Sequence, residues 1–137
     1  MSRMLVDTGP LVALIDKSDQ NHQRCLEWFK YYHGRLYSTE AVLTEAMYLL
    51  NFSFSAQAAC LNFFIAGAIE LHPISPQELD TIEELMEQYQ NVPMDYADAT
   101  LVNLAKEMQC YSIFTLDVTD FSIYRPDRNH YFEVLPA

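Results

Sequence analysis

Short apolar runs alternate with longer segments of helical periodicity along this chain. Each run is three or four residues long and lies between turn-forming residues, as buried strands do. The intervening segments place apolar residues three or four positions apart, which is typical of amphipathic helices. The alternation predicts an α/β protein, a three-layer α/β/α sandwich with a short parallel sheet of four to five strands. The predicted strands are residues 4–6, 36–38, 69–72, 111–114 and 132–135, and the predicted helices are 10–15, 22–32, 40–50, 56–66, 76–89 and 99–108.

Capping residues indicate where several of these helices begin. Thr8, Asn21 and Ser55 are side chains that can accept a hydrogen bond from the first helical turn, and each precedes a predicted helix. Ser75 opens a Ser-Pro-Gln-Glu capping box before another helix. The segment 118–131 has no such pattern and is predicted to be a loop.

Composition restricts the classes of protein that remain. A chain of 137 residues, half of them hydrophobic, predicts a single domain over residues 1–137 with its own core. The net charge of −11 argues against binding nucleic acid through overall electrostatics but is compatible with metal binding. Cys25, Cys60 and Cys110 are predicted to be free thiols in a reducing cytosol. Neither a signal peptide nor a membrane span is recognisable, so a cytoplasmic location is expected.

Four acidic residues lie beside or within apolar segments. Asp7 follows the first strand, and Asp117 follows the fourth. Glu45 lies in an otherwise apolar helix, and Asp98 lies in the first turn of another. If the first and fourth strands are parallel neighbours, their acids share the sheet edge at which ligands bind. Three of these acids also have an ordinary explanation: a helix dipole for Asp98, solvent exposure for Glu45 and a turn for Asp117.

Two more acids and two threonines accompany these four residues. Asp95 is placed to cap the helix that holds Asp98, and Asp120 is either a turn residue or a further member of the acidic group. Thr8 and Thr115 serve as cap and turn residues or orient a carboxylate or a water. Carboxylates that converge in a partly buried crevice repel one another unless a cation is present. Mg²⁺ or Mn²⁺ suits such oxygen ligands, and two such ions can activate water for phosphodiester cleavage.

Four motifs resemble those of PIN domains, most closely those of VapC-type toxins. The resemblance extends over nearly the whole chain and includes Asp120-Phe121 and Tyr124-Arg125 near its end. It implies an α/β/α sandwich in which the first strand is central. The motifs are VDTGPLVALID at 6–16, LTEAMYLL at 43–50, MDYADA at 94–99 and IFTLD at 113–117.

The resemblance also implies an activity. It indicates a Mg²⁺- or Mn²⁺-dependent endoribonuclease that cleaves RNA with a metal-activated water and is the toxin of a toxin–antitoxin pair. A homodimer and a cognate antitoxin are further expectations, with the Phe- and Leu-rich segment 51–66 as the contact surface. The acidic net charge departs from what an RNA-binding protein suggests. By position, the catalytic and metal-binding acids of the family correspond to Asp7, Glu45, Asp98 and Asp117, with Asp95 and Asp120 as auxiliary acids.

Two other classes remain open from the residues alone. A receiver-type phospho-accepting module also carries acids and Mg²⁺ at this sheet edge, but it requires an acid pair after the first strand and a lysine after the last. Here Asp7 stands alone and no lysine follows Lys106. A non-catalytic PIN-like interaction domain would keep the acids for metal-stabilised folding. Arg125 and Arg128 are interpreted as solvated loop charges, with phosphate contact as the alternative.

Overall fold

A parallel five-stranded sheet forms the centre of the molecule. The computed structural model describes residues 2–136. The strand order is β3-β2-β1-β4-β5, every adjacent pair is parallel, and β1 is therefore central as expected. The strands are β1 (Arg3–Val6), β2 (Arg35–Thr39), β3 (Ile69–His72), β4 (Ser112–Phe114) and β5 (Glu133–Leu135). The helices are α1 (Thr8–Ile15), α2 (His22–Tyr31), α3 (Glu40–Leu49), α4 (Phe54–Ile65), α5 (Pro76–Gln88), α6 (Tyr96–Met108) and α7 (Val118–Ile123).

Both faces of the sheet are covered. Met4, Leu5 and Val6 of β1 are all buried, although successive side chains of a strand point to opposite faces. Such a strand needs a packing layer on each side. Helices α1 to α4 pack among themselves, while α5 packs on α6 and α6 packs on β2. The predicted three-layer arrangement is confirmed.

Two of the predicted helix caps are wrong, and a third lies at the predicted position without making a side-chain hydrogen bond. The Asp7 carboxylate, and not Thr8, caps α1 by accepting a hydrogen bond from the Thr8 N–H. Ser53 caps α4 in place of Ser55, and Asn21 makes no side-chain hydrogen bond at the start of α2. A cap must lie just outside the helix with a non-helical backbone, so an error of one or two residues in the boundary changes which side chain serves.

Helix α7 occupies part of the segment predicted to be a loop. Asp117 caps it by accepting from the Asp120 N–H at 3.2 Å, and Phe121 is fully buried. Six residues make fewer than two turns, too few for hydrophobic periodicity to be detected. Helix α6 also begins earlier than predicted, at Tyr96, because Asp95 caps its first turn. Both differences extend helical structure around the acidic residues.

Other expectations are confirmed. Ser75 forms the predicted capping box of α5. Cys25, Cys60 and Cys110 are buried free thiols. Across residues 2–136, no helix combines the length and the apolar character that crossing a membrane requires.

Candidate active site

The carboxyl ends of β1 and β4 bring two of the acidic segments together. Val6 and Phe114 are register partners, and the Asp7 N–H donates to the Phe114 carbonyl oxygen at 3.0 Å. Asp7 and the turn from Thr115 to Asp117 therefore leave the sheet side by side. This is the edge at which open parallel sheets bind ligands.

The Asp7 carboxylate is buried and fixed at both oxygens. Only 8% of the residue is exposed. Its Oδ1 accepts from the Thr8 N–H at 2.8 Å, and its Oδ2 accepts from the Thr115 hydroxyl at 2.7 Å. Burial raises the pKa of Asp7 from 3.8 to about 6, against the opposing effect of these two hydrogen bonds, and the charges of Glu45 and Asp117 raise it further. A bound cation would relieve this penalty on the charged form.

Thr115 links the two acidic strand ends through a single hydroxyl. The residue is fully buried. Its Oγ1 donates to Asp7 and accepts from the Asp117 N–H at 3.0 Å. Of the two explanations open from the sequence, orientation of a carboxylate and a turn role, the hydroxyl serves both. Thr8 lies in the same region, and its buried Oγ1 has no hydrogen-bond partner among residues 2–136.

Asp98 reaches the site from the first turn of α6. Its N–H donates to the Asp95 carboxylate at 2.8 Å, which confirms Asp95 as the cap. The Tyr124 hydroxyl donates to Asp98 Oδ2 at 3.0 Å. Burial raises the pKa of Asp98 to about 7, and the nearby charges of Asp95 and Asp7 add to the increase. Like Asp7, this carboxylate lies in surroundings that disfavour its charge.

Asp117 and Asp120 complete a group of three carboxylates with Asp98. One oxygen from each residue lies within 4.8 Å of the others. Burial and the neighbouring Asp117 carboxylate raise the pKa of Asp120. Because α7 starts directly at Asp117, the turn that caps this helix also places Asp120 beside the group. The missed helix is therefore the element that recruits Asp120.

One open cleft collects the acidic residues predicted from the sequence. It has a volume of about 530 Å³ and is formed by segments that are far apart in the chain. Glu45 reaches it from α3, and Leu49 and Pro93 form part of its wall. Thr115 is not among its lining residues but is buried and hydrogen-bonded to Asp7, which is. The predicted site residues on its surface are Asp7, Thr8, Glu45, Asp95, Asp98, Asp117 and Asp120.

Tyr124 is a contributor to the site that residue patterns did not identify. In the sequence, Tyr124 is part of the family resemblance but has no predicted role. The side chain is fully buried, and burial together with the Asp98 carboxylate raises its pKa, so the hydroxyl stays protonated and donates to Asp98. A contact between residues 26 positions apart leaves no local signal in a sequence.

The donor set of the cleft fits a hard divalent cation. Its candidate ligands are carboxylate oxygens, which Mg²⁺ and Mn²⁺ prefer, and no His or Cys is among the residues that line it. The raised pKa values of Asp7 and Asp98 indicate that the protein alone does not balance the negative charges of this group. The unpartnered Thr8 hydroxyl adds an oxygen that a bound ion or its water could use.

Comparisons with known proteins agree with this geometry. Ribonuclease VapC26 of Mycobacterium tuberculosis is 30% identical over 135 residues, which cover 97% of this chain and 100% of that protein. The crystal structure of the M. tuberculosis toxin VapC20, described as cleaving the sarcin–ricin loop, has a TM-score of 0.78 at 16% identity and matches 85% of this chain and 91% of its own. VapBC2 of Rickettsia felis, bound to promoter DNA, has a TM-score of 0.67 at 17% identity and coverages of 96% and 98%.

The family assignment follows from a sequence match over most of the chain and from a fold shared with known structures. The profile of the PIN domain family matches residues 4–125, a range that contains every acid of the cleft. This match favours the nuclease interpretation over the receiver-type alternative. The structural matches, at lower identity, show that the five-stranded fold is shared. The chain therefore belongs to the PIN-domain family and, with its ribonuclease relative, to the VapC-type members of it.

Proposed function

We propose that this protein is a metal-dependent endoribonuclease that hydrolyses RNA phosphodiester bonds as the toxin of a toxin–antitoxin pair. The observation that carries the proposal is the convergence of carboxylates from four distant segments in one open cleft. Family membership and the ribonuclease relative support the same reaction class. Hydrolysis of a phosphodiester needs an activated water and a counter-charge for the phosphate, and acidic ligands for a divalent ion supply the means for both.

The chain's own residues have distinct tasks in this proposal. Asp7, Glu45, Asp98 and Asp117 would hold Mg²⁺ or Mn²⁺, with Asp120 in support. When bound, the ion supplies Lewis acidity for the attacking water and the phosphate oxygens. The positioning groups are different residues. The Thr115 hydroxyl orients Asp7, the Tyr124 hydroxyl orients Asp98, and the Asp95 carboxylate caps the helix from which Asp98 projects.

Substitution of two site acids tests the reaction. Asp7→Asn and Asp98→Asn keep the size of each side chain but remove a charged oxygen ligand. Each should lower Mg²⁺- or Mn²⁺-dependent cleavage of a labelled RNA by roughly 100-fold or more. Asp80→Asn, the same change on exposed α5, is the matched control and should cleave normally. Full activity in both site variants would overturn the assignment.

We also propose a protein partner for the apolar surface of α3 and α4. The exposed fractions are 82% for Phe54, 77% for Ile65 and 71% for Tyr48, and Phe52, two residues before Phe54, is 64% exposed. Large contiguous apolar patches mark interaction sites. Structural relatives include a toxin–antitoxin complex from Klebsiella pneumoniae, at 15% identity and a TM-score of 0.65. We assign the patch to the cognate antitoxin.

Charge substitutions on this patch test the partner. Phe54→Glu should abolish co-purification with the cognate antitoxin, and RNA cleavage by the isolated protein should persist. Leu79→Glu, on the exposed surface of α5, is the control. Retained antitoxin binding by Phe54→Glu would exclude this surface. A homodimer remains a separate prediction, and sedimentation of the wild-type protein alone measures it.

A further inference from the structure

A second cleft gathers positive charge on a strongly acidic molecule. It has a volume of about 540 Å³ and is lined by Lys106 at the end of α6 and by Arg125 and Arg128 after α7. The chain has only 8 lysines and arginines against 19 acids, so three of its few cations share one cleft.

These three cations are not neutralised by the protein itself. Among residues 2–136, none of them has a carboxylate oxygen within 4.0 Å. The acid that lines the cleft, Asp127, directs its hydrogen bonds elsewhere: it accepts from the Asn129 N–H at 2.8 Å and from the Tyr111 hydroxyl at 3.1 Å. A His130 ring nitrogen also lies 2.7 Å from it. The cations are thus available to an external anion.

Two contacts hold Arg125 in place. Its backbone N–H donates to the Tyr89 hydroxyl at 3.0 Å, which holds the start of the loop against the core. Its guanidinium lies 4.0 Å from the centroid of the Tyr131 ring, and Tyr131 is 62% exposed. Stacking on a ring leaves the N–H donors at the guanidinium edge free for phosphate, and an exposed tyrosine can stack on a base.

The positive cleft adjoins the acidic one. Helix α7 contributes to both: Asp120 lines the acidic cleft, and Ile123, one turn later, lines the positive one. Along α6, Lys106 lies eight residues after Asp98, which corresponds to about 12 Å at 1.5 Å per residue. That is roughly the span of three or four stacked nucleotides at about 3.4 Å each. A strand with one phosphate at the carboxylates can therefore extend to these cations.

We propose that Lys106, Arg125 and Arg128 bind non-reacting phosphates of the RNA strand whose scissile phosphate lies in the acidic cleft. This inference rests on the proposed function and deepens it. A polyanion approaching a molecule of net charge −11 is repelled overall, so productive binding needs a local positive track. The sequence alone favoured solvated loop charges for Arg125 and Arg128, because Lys106 joins them only in the folded chain.

The test compares two double variants of equal charge. Lys106→Gln/Arg128→Gln removes two cations from the cleft. Lys30→Gln/Arg35→Gln removes one lysine and one arginine from α2 and from the start of β2, and neither of these residues lines the acidic or the positive cleft. Binding of a fluorescein-labelled single-stranded RNA is measured by anisotropy over a range of salt concentrations in Ca²⁺, and unfolding temperatures confirm that both variants fold.

We expect the cleft variant to bind RNA roughly tenfold more weakly than the control, with a salt slope smaller by about 1.4, at about 0.7 per phosphate contact. Cleavage of a small phosphodiester too short to reach the cleft should be equal in both. Equal RNA affinities of the cleft variant and the control would overturn the inference. It would also be overturned if the cleft variant bound polyglutamate more weakly than the control while its RNA binding stayed intact. If the wild type binds RNA through this cleft but cleaves neither substrate, the proposed function fails, and only the binding of RNA phosphates by Lys106, Arg125 and Arg128 stands.

Discussion

Replacing Asp7 with asparagine should make the metal-free protein more stable while depriving it of metal-dependent function. The Asp7 carboxylate is buried, and its pKa is raised mainly by that burial. The asparagine side chain would keep both contacts, since its carbonyl oxygen can accept from the Thr8 N–H and its amide can donate to Thr115 Oγ1. The substitution therefore removes the buried charge, at the cost of leaving the Thr115 hydroxyl hydrogen without its carboxylate acceptor.

The size of the effect follows from the pKa of Asp7. Because folding raises this pKa from 3.8 to about 6, the protonated form is favoured in the folded state. Its stabilising contribution is complete below pH 3.8 and is lost as the pH rises through 6. At pH 8 the loss reaches about 3 kcal/mol, at about 1.36 kcal/mol per pKa unit, and roughly half of it develops between pH 5 and pH 8.

Thermal and urea unfolding in EDTA at pH 5 and pH 8 measure this effect. Asp7→Asn should exceed the wild type by up to about 3 kcal/mol at pH 8, or roughly 10 °C in Tm, with a clearly smaller margin at pH 5. Adding Mn²⁺ at pH 8 should raise the Tm of the wild type and leave that of the variant almost unchanged.

The exposed control Asp80→Asn distinguishes the effect of removing a buried charge on stability from the effect of removing any one negative charge. It should shift stability by less than about 0.5 kcal/mol at either pH. An Asp7→Asn protein no more stable than the wild type at pH 8, or one whose advantage is the same at both pH values, would refute the reasoning. Either result would mean that the Asp7 carboxylate carries no desolvation penalty in the folded protein.

Two other substitutions test the Thr115 hydroxyl and the C-terminal cap of α6. Thr115→Val removes the donor to Asp7 and the acceptor of the Asp117 N–H, so it should lower the free energy of unfolding by about 1–3 kcal/mol and weaken Mn²⁺ binding measured by calorimetry. Thr115→Ser should restore both, and Thr119→Val on exposed α7 should change neither. Wild-type behaviour of Thr115→Val would disprove the hydroxyl link. Gln109→Gly should stabilise the protein by about 1 kcal/mol in urea unfolding, because Gln109 caps the C-terminal end of α6 with a left-handed φ of 52°. An unchanged or lower stability would show that the native backbone is unstrained at this residue.

The sequence determined the fold and the identity of the acidic residues through local effects. The run Met4 to Val6 is short, apolar and followed by an acid, which indicates a buried strand with a carboxylate at its end. Asp95 was recognised as a cap because capping depends on a residue and the turn that follows it. Hydrophobic periodicity and capping both depend on residues that are close together in the chain, so they can be recognised from the sequence without knowledge of the tertiary structure.

Tertiary structure decided how those residues are supported and what lies beside them. The hydroxyl of Thr115 joins Asp7 to Asp117 only because β1 and β4 are adjacent, and Tyr124 reaches Asp98 across 26 residues. Lys106, Arg125 and Arg128 meet through the packing of α6 and the segment after α7. Contacts of this kind depend on long-range packing and charge, which no local pattern encodes, whereas the strand ends and caps depend on a few consecutive residues.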